Sequence, residues 1–234
     1  MTQFQQKDLI SLIEGSDEGN NELKSNEDNK HHEDKINDGN QVEITALEDL
    51  ERECKTCHKC NLRQGANQVV FGVGNPEAAL MLVGEGPGGE EDCQGVPFVG
   101  SAGKLLTRIL AAVDIQREEV YITNIVKCRP PGNRVPAKEE IDQCIGYLKK
   151  QIELINPQII VCLGSPATQI LIDKQARITK VRGNWVEKDS RLFMPTFHPA
   201  ALLRDPNKKR PVWDDFQKIA ASYRELLPNR EKGR

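Results

Sequence analysis

Short apolar runs alternate with stretches of helical periodicity along most of this chain. Four runs have the length and make-up of buried strands, at residues 79–83, 120–126, 158–163 and 192–197. A shorter run at 69–71 predicts one more strand, and helices are predicted at about 101–113, 137–155, 165–173 and 212–227. Repeated strand and helix units favour parallel strands with helices on both faces. The pattern therefore predicts a three-layer α/β/α fold around a central, mostly parallel four-stranded sheet.

A glycine-rich stretch follows the first of the four main strands, reading LVGEGPGGEEDCQGVPFVGSAGKLL at residues 82–106. Glycines let backbone amides approach a ligand closely, and open α/β sheets bind ligands at the carboxyl ends of their strands. We therefore expect the chemistry of the protein in this stretch. No helix is predicted to begin before about Ser101, so the preceding segment is expected to be a loop.

Charge is distributed very unevenly along the chain. Residues 1–50 carry a net charge of -9 and the remainder carries +6, which together give the overall -3. Residues 1–42 form an acidic extension with too few apolar groups to offset the entropy of ordering, and we expect disorder from about 15 to 41. Residues 43–234 are expected to form one folded domain, whose positive charge favours a polyanionic partner.

Neither a membrane span nor a secretion signal is visible in the sequence. The chain has no run of 18 apolar residues, and its amino terminus lacks a basic region followed by an apolar core. We expect a cytoplasmic protein without membrane contact. Its seven cysteines are then expected to be metal ligands or buried thiols and not disulfides.

The candidate metal ligands are cysteines from two distant parts of the chain: Cys57, Cys60, Cys128 and Cys144. Four thiolates suit either tetrahedral zinc or an iron-sulfur cluster, and the spacing does not separate the two. Cys54 forms an overlapping Cys-x-x-Cys with Cys57, and His58 lies within the run, so the residues alone leave the ligand set open. Cys93 and Cys162 are interpreted as spare thiols, with Cys162 buried in its strand.

Several ordered motifs after residue 43 resemble the family 4 uracil-DNA glycosylases, the iron-sulfur enzymes of the uracil-DNA glycosylase superfamily. Besides the Cys57-x-x-Cys60 pair, the matching segments are GEGPGGEED (84–92), GVPFVGSAGKLL (95–106), TNIVKCRPPGNRVP (123–136), INPQIIVCLG (155–164), ITKVRG (178–183) and PTFHPAALLR (195–204). They follow the family order and cover nearly all of the basic part. The resemblance implies release of uracil from single- or double-stranded DNA by hydrolysis of the N-glycosidic bond, which initiates base excision repair. We expect the enzyme to be a monomer.

The same resemblance implies a [4Fe-4S] cluster held by Cys57, Cys60, Cys128 and Cys144. The distance from Cys60 to the segment around Gly72 fits the family pattern, whereas the distance from Cys54 does not. The best-known members of the superfamily carry an Asp one residue beyond Glu85, where this chain has Gly86. Glu85 is therefore the candidate for orienting the attacking water.

A glycosylase must take the base out of the helix, stack on it, read its edge and stabilise the charge that develops on it. Phe98 offers a stacking face, and the Asn124 amide can donate to O4 of uracil while accepting from N3-H. His198 can donate to O2, where negative charge develops. Gly84 and Gly86 are expected to complete this substrate site.

Carboxylates and basic residues complete the predicted site. Glu85, Glu91 and Asp92 are candidates for positioning water or balancing the charge on the sugar. The resemblance makes Glu91 the candidate for refusing the 5-methyl group of thymine. Residues after the His-Pro pair are predicted to contact DNA, with Leu202 or Leu203 as a wedge and with phosphate contacts from Arg204, Lys208, Lys209 and Arg210.

The sequence also fits two other classes of protein less well. Gly84-x-Gly86-x-x-Gly89 after a strand is typical of a nucleotide-dependent oxidoreductase or a nucleotide-binding module. Pro87 inside the turn, the crowded acids and the absence of a helix before Ser101 argue against it. The other alternative is a non-catalytic, zinc-bound DNA-binding protein, which metal analysis and a glycosylase assay would distinguish.

Overall fold

The computed structural model describes residues 38–231, and the side chains of residues 45–226. Among these residues one sheet contains the strands β1 Val73–Gly74, β2 Leu80–Gly84, β3 Tyr121–Asn124, β4 Ile159–Leu163, β5 Val186–Lys188 and β6 Arg191–Thr196. Their spatial order is β1-β3-β2-β4-β6-β5. The four inner strands are parallel, and each outer strand pairs antiparallel with its neighbour. The prediction of a mostly parallel sheet is confirmed, with six strands in place of four.

Helices cover both faces of this sheet. In chain order the described α-helices are α1 Asp38–Lys55, α2 Leu62–Gly65, α3 Gly89–Gln94, α4 Ser101–Ala112, α5 Lys138–Ile155, α6 Ser165–Leu171, α7 Ile178–Val181, α8 Pro199–Arg204 and α9 Lys209–Glu231. Helices α4 and α9 pack on one face, and α1, α5 and α6 pack on the other. The predicted three-layer α/β/α arrangement is confirmed.

Strand β2 shows why the inner strands were recognisable from sequence. All five of its residues are buried, because a parallel strand between two helical layers faces the core on both sides. Leu80 and Leu82 join the core formed with α4 and α9, whereas Met81 and Val83 join the core formed with α1 and α5. The alternation follows from the two-residue period of a strand.

The edges of the sheet differ from the prediction. The expected strand at 69–71 is not one, although Val70 and Phe71 are fully buried. The Val70 N–H donates to the Lys127 carbonyl over 2.7 Å, and the Phe71 carbonyl accepts from Thr123 Oγ1 over 2.8 Å. The chain enters the sheet only at Val73. Residues 69–71 therefore belong to the buried core but do not pair with a strand of the sheet.

Two short helices lie where loops were expected. Helix α3 begins at Gly89, so the prediction of no helix before Ser101 is wrong, and that objection to a nucleotide site fails. Helix α8 directly follows His198. Helix α1 begins at Asp38, five residues before the expected domain boundary, and most of the acidic extension lies outside the described residues. No helix in the described part of the chain is long and apolar enough to cross a membrane.

Candidate active site

A cleft of about 1370 Å³, counted with the solvent at its open mouth, lies at the carboxyl ends of β2, β3 and β6. This edge is where a parallel sheet places its ligands. The cleft brings together half of the predicted catalytic, substrate and DNA-contact residues, from three segments of the chain: Glu85, Gly86, Glu91, Phe98, Asn124, His198 and Arg204. Gly84, Asp92 and the remaining predicted DNA contacts are not among its lining residues.

Asn124 is the last residue of β3 and is only 1% exposed at the wall of the cleft. Its side-chain oxygen Oδ1 has no hydrogen-bond partner in the protein. Leaving a buried acceptor unpaired costs about 1–3 kcal/mol, so native proteins rarely do so without a functional reason. The orphaned oxygen therefore marks a position where a ligand N–H can bind.

Gly84 supports Asn124 from the neighbouring strand. The two residues are directly paired in the β2–β3 register. A Cβ on Gly84 would overlap Asn124 Oδ1 and would lie 2.6 Å from Phe98 Cζ. Gly84 therefore lets the amide and the aromatic ring approach each other, and its part in the substrate site is indirect.

Phe98 and His198 face each other with ring centroids 5.4 Å apart and an interplanar angle of 31°. Phe98 is buried and has a φ of 55°, in the left-handed region that a bulky residue rarely adopts. Such strain persists only where the surrounding structure holds it, and it is found most often at functional sites. The ring of Phe98 is thus held as a fixed apolar face of the cleft.

His198 is the N-cap of helix α8, and its Nδ1 accepts a hydrogen bond from the Ala200 N–H over 3.1 Å. A neutral imidazole that accepts at Nδ1 carries its proton on Nε2, which leaves Nε2–H free to donate. Burial lowers the pKa of His198 to about 4, with Arg204 acting in the same direction and Glu91 against it. The ring is therefore a neutral donor at physiological pH.

An ion pair braces the strand end that carries the histidine loop. Asp215 of α9 is fully buried and pairs with the Arg182 guanidinium, whose Nε donates to Oδ2 over 3.0 Å. Thr196 Oγ1 donates to the same oxygen over 2.6 Å. Because Thr196 ends β6 two residues before His198, this network fixes where the loop leaves the sheet.

Glu91 lines the cleft, but its carboxylate is occupied by the backbone of the glycine-rich segment. Oε1 accepts from the N–H groups of Val99 and Gly100 over 3.0 and 2.9 Å, and Oε2 accepts from Gly88 over 3.1 Å. The side chain therefore ties the start of α3 to the residues next to Phe98. The evident physical contribution of Glu91 is to make this wall of the cleft rigid.

The other two predicted carboxylates have different surroundings. Glu85 is half-buried in the cleft, and burial raises the pKa of its carboxyl. Asp92 points elsewhere: it is 1% exposed and accepts from the Asn67 N–H over 2.9 Å and from Asn67 Nδ2 over 2.8 Å. Asp92 therefore anchors α3 to the segment before β1, which corrects its predicted place in the substrate site.

Sequence reasoning missed one wall of the cleft. Pro130, Asn133, Arg134 and Val135 line it, all from the segment between Cys128 and Cys144. Arg134 pairs with Glu140 at the start of α5 through two bonds of 2.7 and 2.8 Å, and Val135 is 62% exposed. The signal was the proline-rich composition of this segment, which was interpreted only as a carrier of metal ligands.

The predicted DNA contacts separate into buried and exposed groups. Leu202 is 1% exposed in the core beneath α8, so it is not available as a wedge, whereas Leu203 is 47% exposed. Arg204 is exposed at the rim of the cleft. The other three basic residues lie beyond the lining, where Lys208 pairs with Asp205, Arg210 pairs with Asp214 and Lys209 is half-buried.

Five cysteines line a second cavity: Cys54, Cys57, Cys60, Cys128 and Cys144. In residues 45–226 no group of three or more His, Cys, Asp or Glu side chains has the geometry to hold a single metal ion. Burial raises the pKa of the Cys54 and Cys128 thiols to about 12. Cys93 is exposed and Cys162 is buried in β4, as expected for spare thiols.

Comparison with known proteins agrees with this architecture. The family model of the uracil DNA glycosylase superfamily matches residues 71–217. The chain is 44% identical over 186 residues to the type-4 uracil-DNA glycosylase of Archaeoglobus fulgidus, covering 75% of this chain and 92% of that protein. It is 45% identical to the type-4 enzyme of Sulfurisphaera tokodaii, over 75% of this chain and 84% of the relative, and 47% identical to that of Thermotoga maritima, over 74% and 92%. The chain therefore belongs to the uracil-DNA glycosylase superfamily and, within it, to the type-4 uracil-DNA glycosylases.

Proposed function

We propose that this chain flips uracil out of DNA and hydrolyses its N-glycosidic bond, releasing uracil and leaving an abasic site that initiates base excision repair. Membership of the type-4 family supports the activity. Within the chain, the strongest support is the buried and unpaired Asn124 Oδ1, close to the rings of Phe98 and His198.

The Asn124 amide recognises the base through hydrogen bonds. Its orphaned Oδ1 accepts from N3-H of uracil, and its NH₂ group donates to O4. Cytosine presents a donor at N4 and an acceptor at N3, so it opposes the same amide twice. Because each buried mismatch costs about 1–3 kcal/mol, two mismatches supply about 10²-fold to 10⁴-fold discrimination.

Bond cleavage places negative charge on the released base, chiefly at O2 and N1. The His198 Nε2–H donates to O2, and its orientation is set before substrate binds because Nδ1 already accepts from Ala200. Phe98 stacks on the face of the base and excludes water from it. These two rings stabilise the leaving uracil anion without a proton transfer.

Glu85 is assigned the role of orienting the attacking water. Its carboxylate lies in the cleft, and the neighbouring position offers no room for an alternative. A Cβ on Gly86 would lie 2.8 Å from Val126 Cγ2, a stiff and fully buried methyl, so an acidic side chain at that position would displace the core. Glu85 therefore takes the part that an adjacent Asp has in the best-known members of the superfamily.

Thymine presents the same edge as uracil, so it must be refused by shape at its 5-methyl group. Glu91 is the proposed barrier. Three backbone N–H groups hold its carboxylate in one position, and a wall that cannot yield discriminates against an added methyl group better than a mobile one.

Contact with DNA is proposed along the rim formed by α8 and the residues after it. Leu203 is the exposed apolar side chain that can fill the space left by the flipped base. Arg204 lines the cleft beside it, and Lys208, Lys209 and Arg210 follow toward α9. Their charges suit the phosphates that flank the flipped nucleotide.

A [4Fe-4S] cluster is proposed on Cys57, Cys60, Cys128 and Cys144. The four thiols line one cavity, and each cysteine of such a cluster binds a different iron, so the sulfurs need not converge on one point. Cys54 lies on the same cavity, and family spacing alone sets it apart. When bound, the cluster supplies cross-links between chain segments. Cys128 and Cys144 flank the proline-rich segment whose residues 130–135 line one wall of the cleft.

The test is excision by the purified full chain. We expect free uracil, identified by mass spectrometry, from an oligonucleotide with one uracil, and no base from matched oligonucleotides with thymine or cytosine at that position. Absence of uracil release by an iron-loaded preparation would contradict the proposal.

A further inference from the structure

Lys127 is among the largest fully buried side chains of the described residues and was not a predicted site residue. It is 1% exposed. Its Nζ donates to Thr123 Oγ1 over 2.6 Å, to the Asn124 carbonyl over 2.8 Å and to Gln151 Oε1 over 2.6 Å. An ammonium group has three donors, so all of them are used.

These three acceptors are neutral, which leaves the charge of Lys127 to be balanced by something else. No carboxylate in the described part of the chain forms an ion pair with it, and its Nζ lies 5.9 Å from the centroid of the Phe71 ring. Burying a cation is unfavourable unless an opposite charge compensates for it. The thiols of Cys54 and Cys144, which line the same cavity as Lys127, can supply an opposite charge when they are ionised.

The backbone of Lys127 contacts the cysteine site as well. Its N–H donates to Cys144 Sγ over 3.3 Å, and the next residue is Cys128. Lys127 lines the same cavity as the five cysteines. Lys127 therefore touches a proposed cluster ligand with its main chain and the main chain of the base-reading residue with its ammonium group.

We propose that Lys127 is a positioning residue that couples the cysteine site to base reading: its ammonium holds the Asn124 main chain in place and faces the anionic metal-thiolate group as its counter-charge. Four thiolates around a [4Fe-4S]²⁺ core carry a net charge of about -2, which suits a buried cation. The inference rests on the proposed function and the proposed cluster. It gives the cluster a connection to uracil recognition through this chain's own residues.

The test compares Lys127→Met, which removes the charge while keeping the length, with Lys59→Met as a matched control. Lys59 lines the same cavity but is exposed and does not contact Asn124. For Lys127→Met we expect a single-turnover excision rate lower by about 10-fold to 100-fold, as for a misplaced reading group, with the dissociation constant for DNA within about twofold. We also expect a more negative reduction potential of the cluster, because a nearby positive charge stabilises the reduced form.

A merely structural role would lower the melting temperature without moving the reduction potential. Wild-type values of both potential and excision rate in Lys127→Met, or equal effects in Lys59→Met, would overturn the inference. Failure of the wild-type chain to release uracil would instead overturn the proposed function, so the two failures are distinguishable.

A second variant covers the case in which Lys127→Met does not retain iron. Thr123→Val removes one acceptor of the ammonium and leaves the charge in place. We expect an excision rate lower by about threefold to tenfold at unchanged reduction potential, with the rate restored in Thr123→Ser, which keeps the hydroxyl. An unchanged rate in Thr123→Val would contradict the positioning role.

Discussion

The two polar side chains that are proposed to contact the base are both neutral at physiological pH. Asn124 has no ionisable group, and His198 is held neutral because burial and Arg204 lower its pKa to about 4. The Ala200 N–H at Nδ1 leaves the proton on Nε2. Recognition and charge stabilisation therefore need no change of protonation at physiological pH, and the acid chemistry of the site is left to the carboxylates.

This assignment for His198 predicts a pH dependence. Because its folded-state pKa is near 4, the imidazole is neutral from pH 5 to 8, and lowering the pH in that range should not raise the single-turnover rate. His198→Ala should lower the rate by about 10²-fold to 10³-fold at every pH, whereas His58→Ala, an exposed histidine, should not. A rate that rises as the pH falls through about 6.5, and loses that rise in His198→Ala, would show that the imidazolium is the donor.

The lowered pKa of His198 also makes folding stability depend on pH. A histidine with a depressed pKa takes up a proton more readily in the unfolded chain than in the folded one. Its contribution to folding is therefore present above about pH 6.5 and is lost as the pH falls toward 4.

At the scale of elements, the glycine-rich segment is a short helix held by one carboxylate and not an open loop. Helix α3 starts after Gly88 and is capped at its carboxyl end by Gly95, whose φ is 73°. Glu91 accepts from both sides of it, which fixes the backbone next to Phe98. The proposed stacking face and the proposed methyl barrier therefore depend on the same hydrogen bonds.

Removing that carboxylate should affect specificity and stability together. Glu91→Ala leaves three backbone N–H groups without their acceptor, and we expect a loss of about 1–3 kcal/mol in unfolding free energy. Thymine release relative to uracil should rise by about tenfold, without release of cytosine, because Asn124 still reads the edge. Glu90→Ala removes an adjacent charge without those three bonds and should leave thymine refused. Unchanged thymine refusal in Glu91→Ala would remove Glu91 from the specificity wall.

Helix α8 presents two adjacent leucines in opposite environments, which allows a matched comparison. Leu203→Ala should slow uracil excision from double-stranded DNA by about tenfold and leave single-stranded DNA unaffected, since only a duplex must be held open. Leu202→Ala should lower the unfolding free energy by about 2–5 kcal/mol in urea denaturation, because it creates a cavity in the core. Equal loss on both DNA forms for Leu203→Ala would contradict a wedge role.

Sequence predicted the elements whose apolar residues form continuous or helical patterns, and it failed where the pattern is short or the partner is distant. Strands β2 and β4 are fully buried runs and were recognised, whereas the outer strands β1 and β5 have two and three residues. The sequence of residues 89–92 is typical of a loop, and only the capping hydrogen bonds in the structure explain why it forms a helix. Asp92 was misplaced because its partner Asn67 is 25 residues away, and Lys127 was missed because its burial and its contacts with Gln151 and Cys144 arise only in the folded structure.

At the scale of the whole molecule, one segment of the chain connects the cysteine cavity and the cleft. Cys128 and Cys144 bound the segment that lines one side of the cleft, while the other side comes from the glycine-rich segment and α8. Binding of the proposed cluster by these two cysteines therefore fixes both ends of that segment. The predicted monomeric state and cytoplasmic location stay predictions.

The ligand register can be tested by metal content. Serine at any of Cys57, Cys60, Cys128 or Cys144 should lower bound iron and the melting temperature. Cys54→Ser should keep the iron, although Cys54 is 1% exposed on the same cavity. Loss of iron in Cys54→Ser together with full iron in Cys60→Ser would show that the register is shifted by one pair.

The Asn124→Asp variant tests whether the amide of Asn124, with its unpaired Oδ1, reads uracil. A carboxylate still accepts from N3-H but repels O4, so single-turnover excision of uracil should fall by about 10²-fold or more, and release of cytosine should become detectable. Asn184→Asp makes the same chemical change at an exposed position and should behave as the unaltered chain. The measurement compares excision from otherwise identical DNA that carries uracil, thymine or cytosine. Full uracil activity in Asn124→Asp would mean that Asn124 does not read the base and that the pocket is built from other residues.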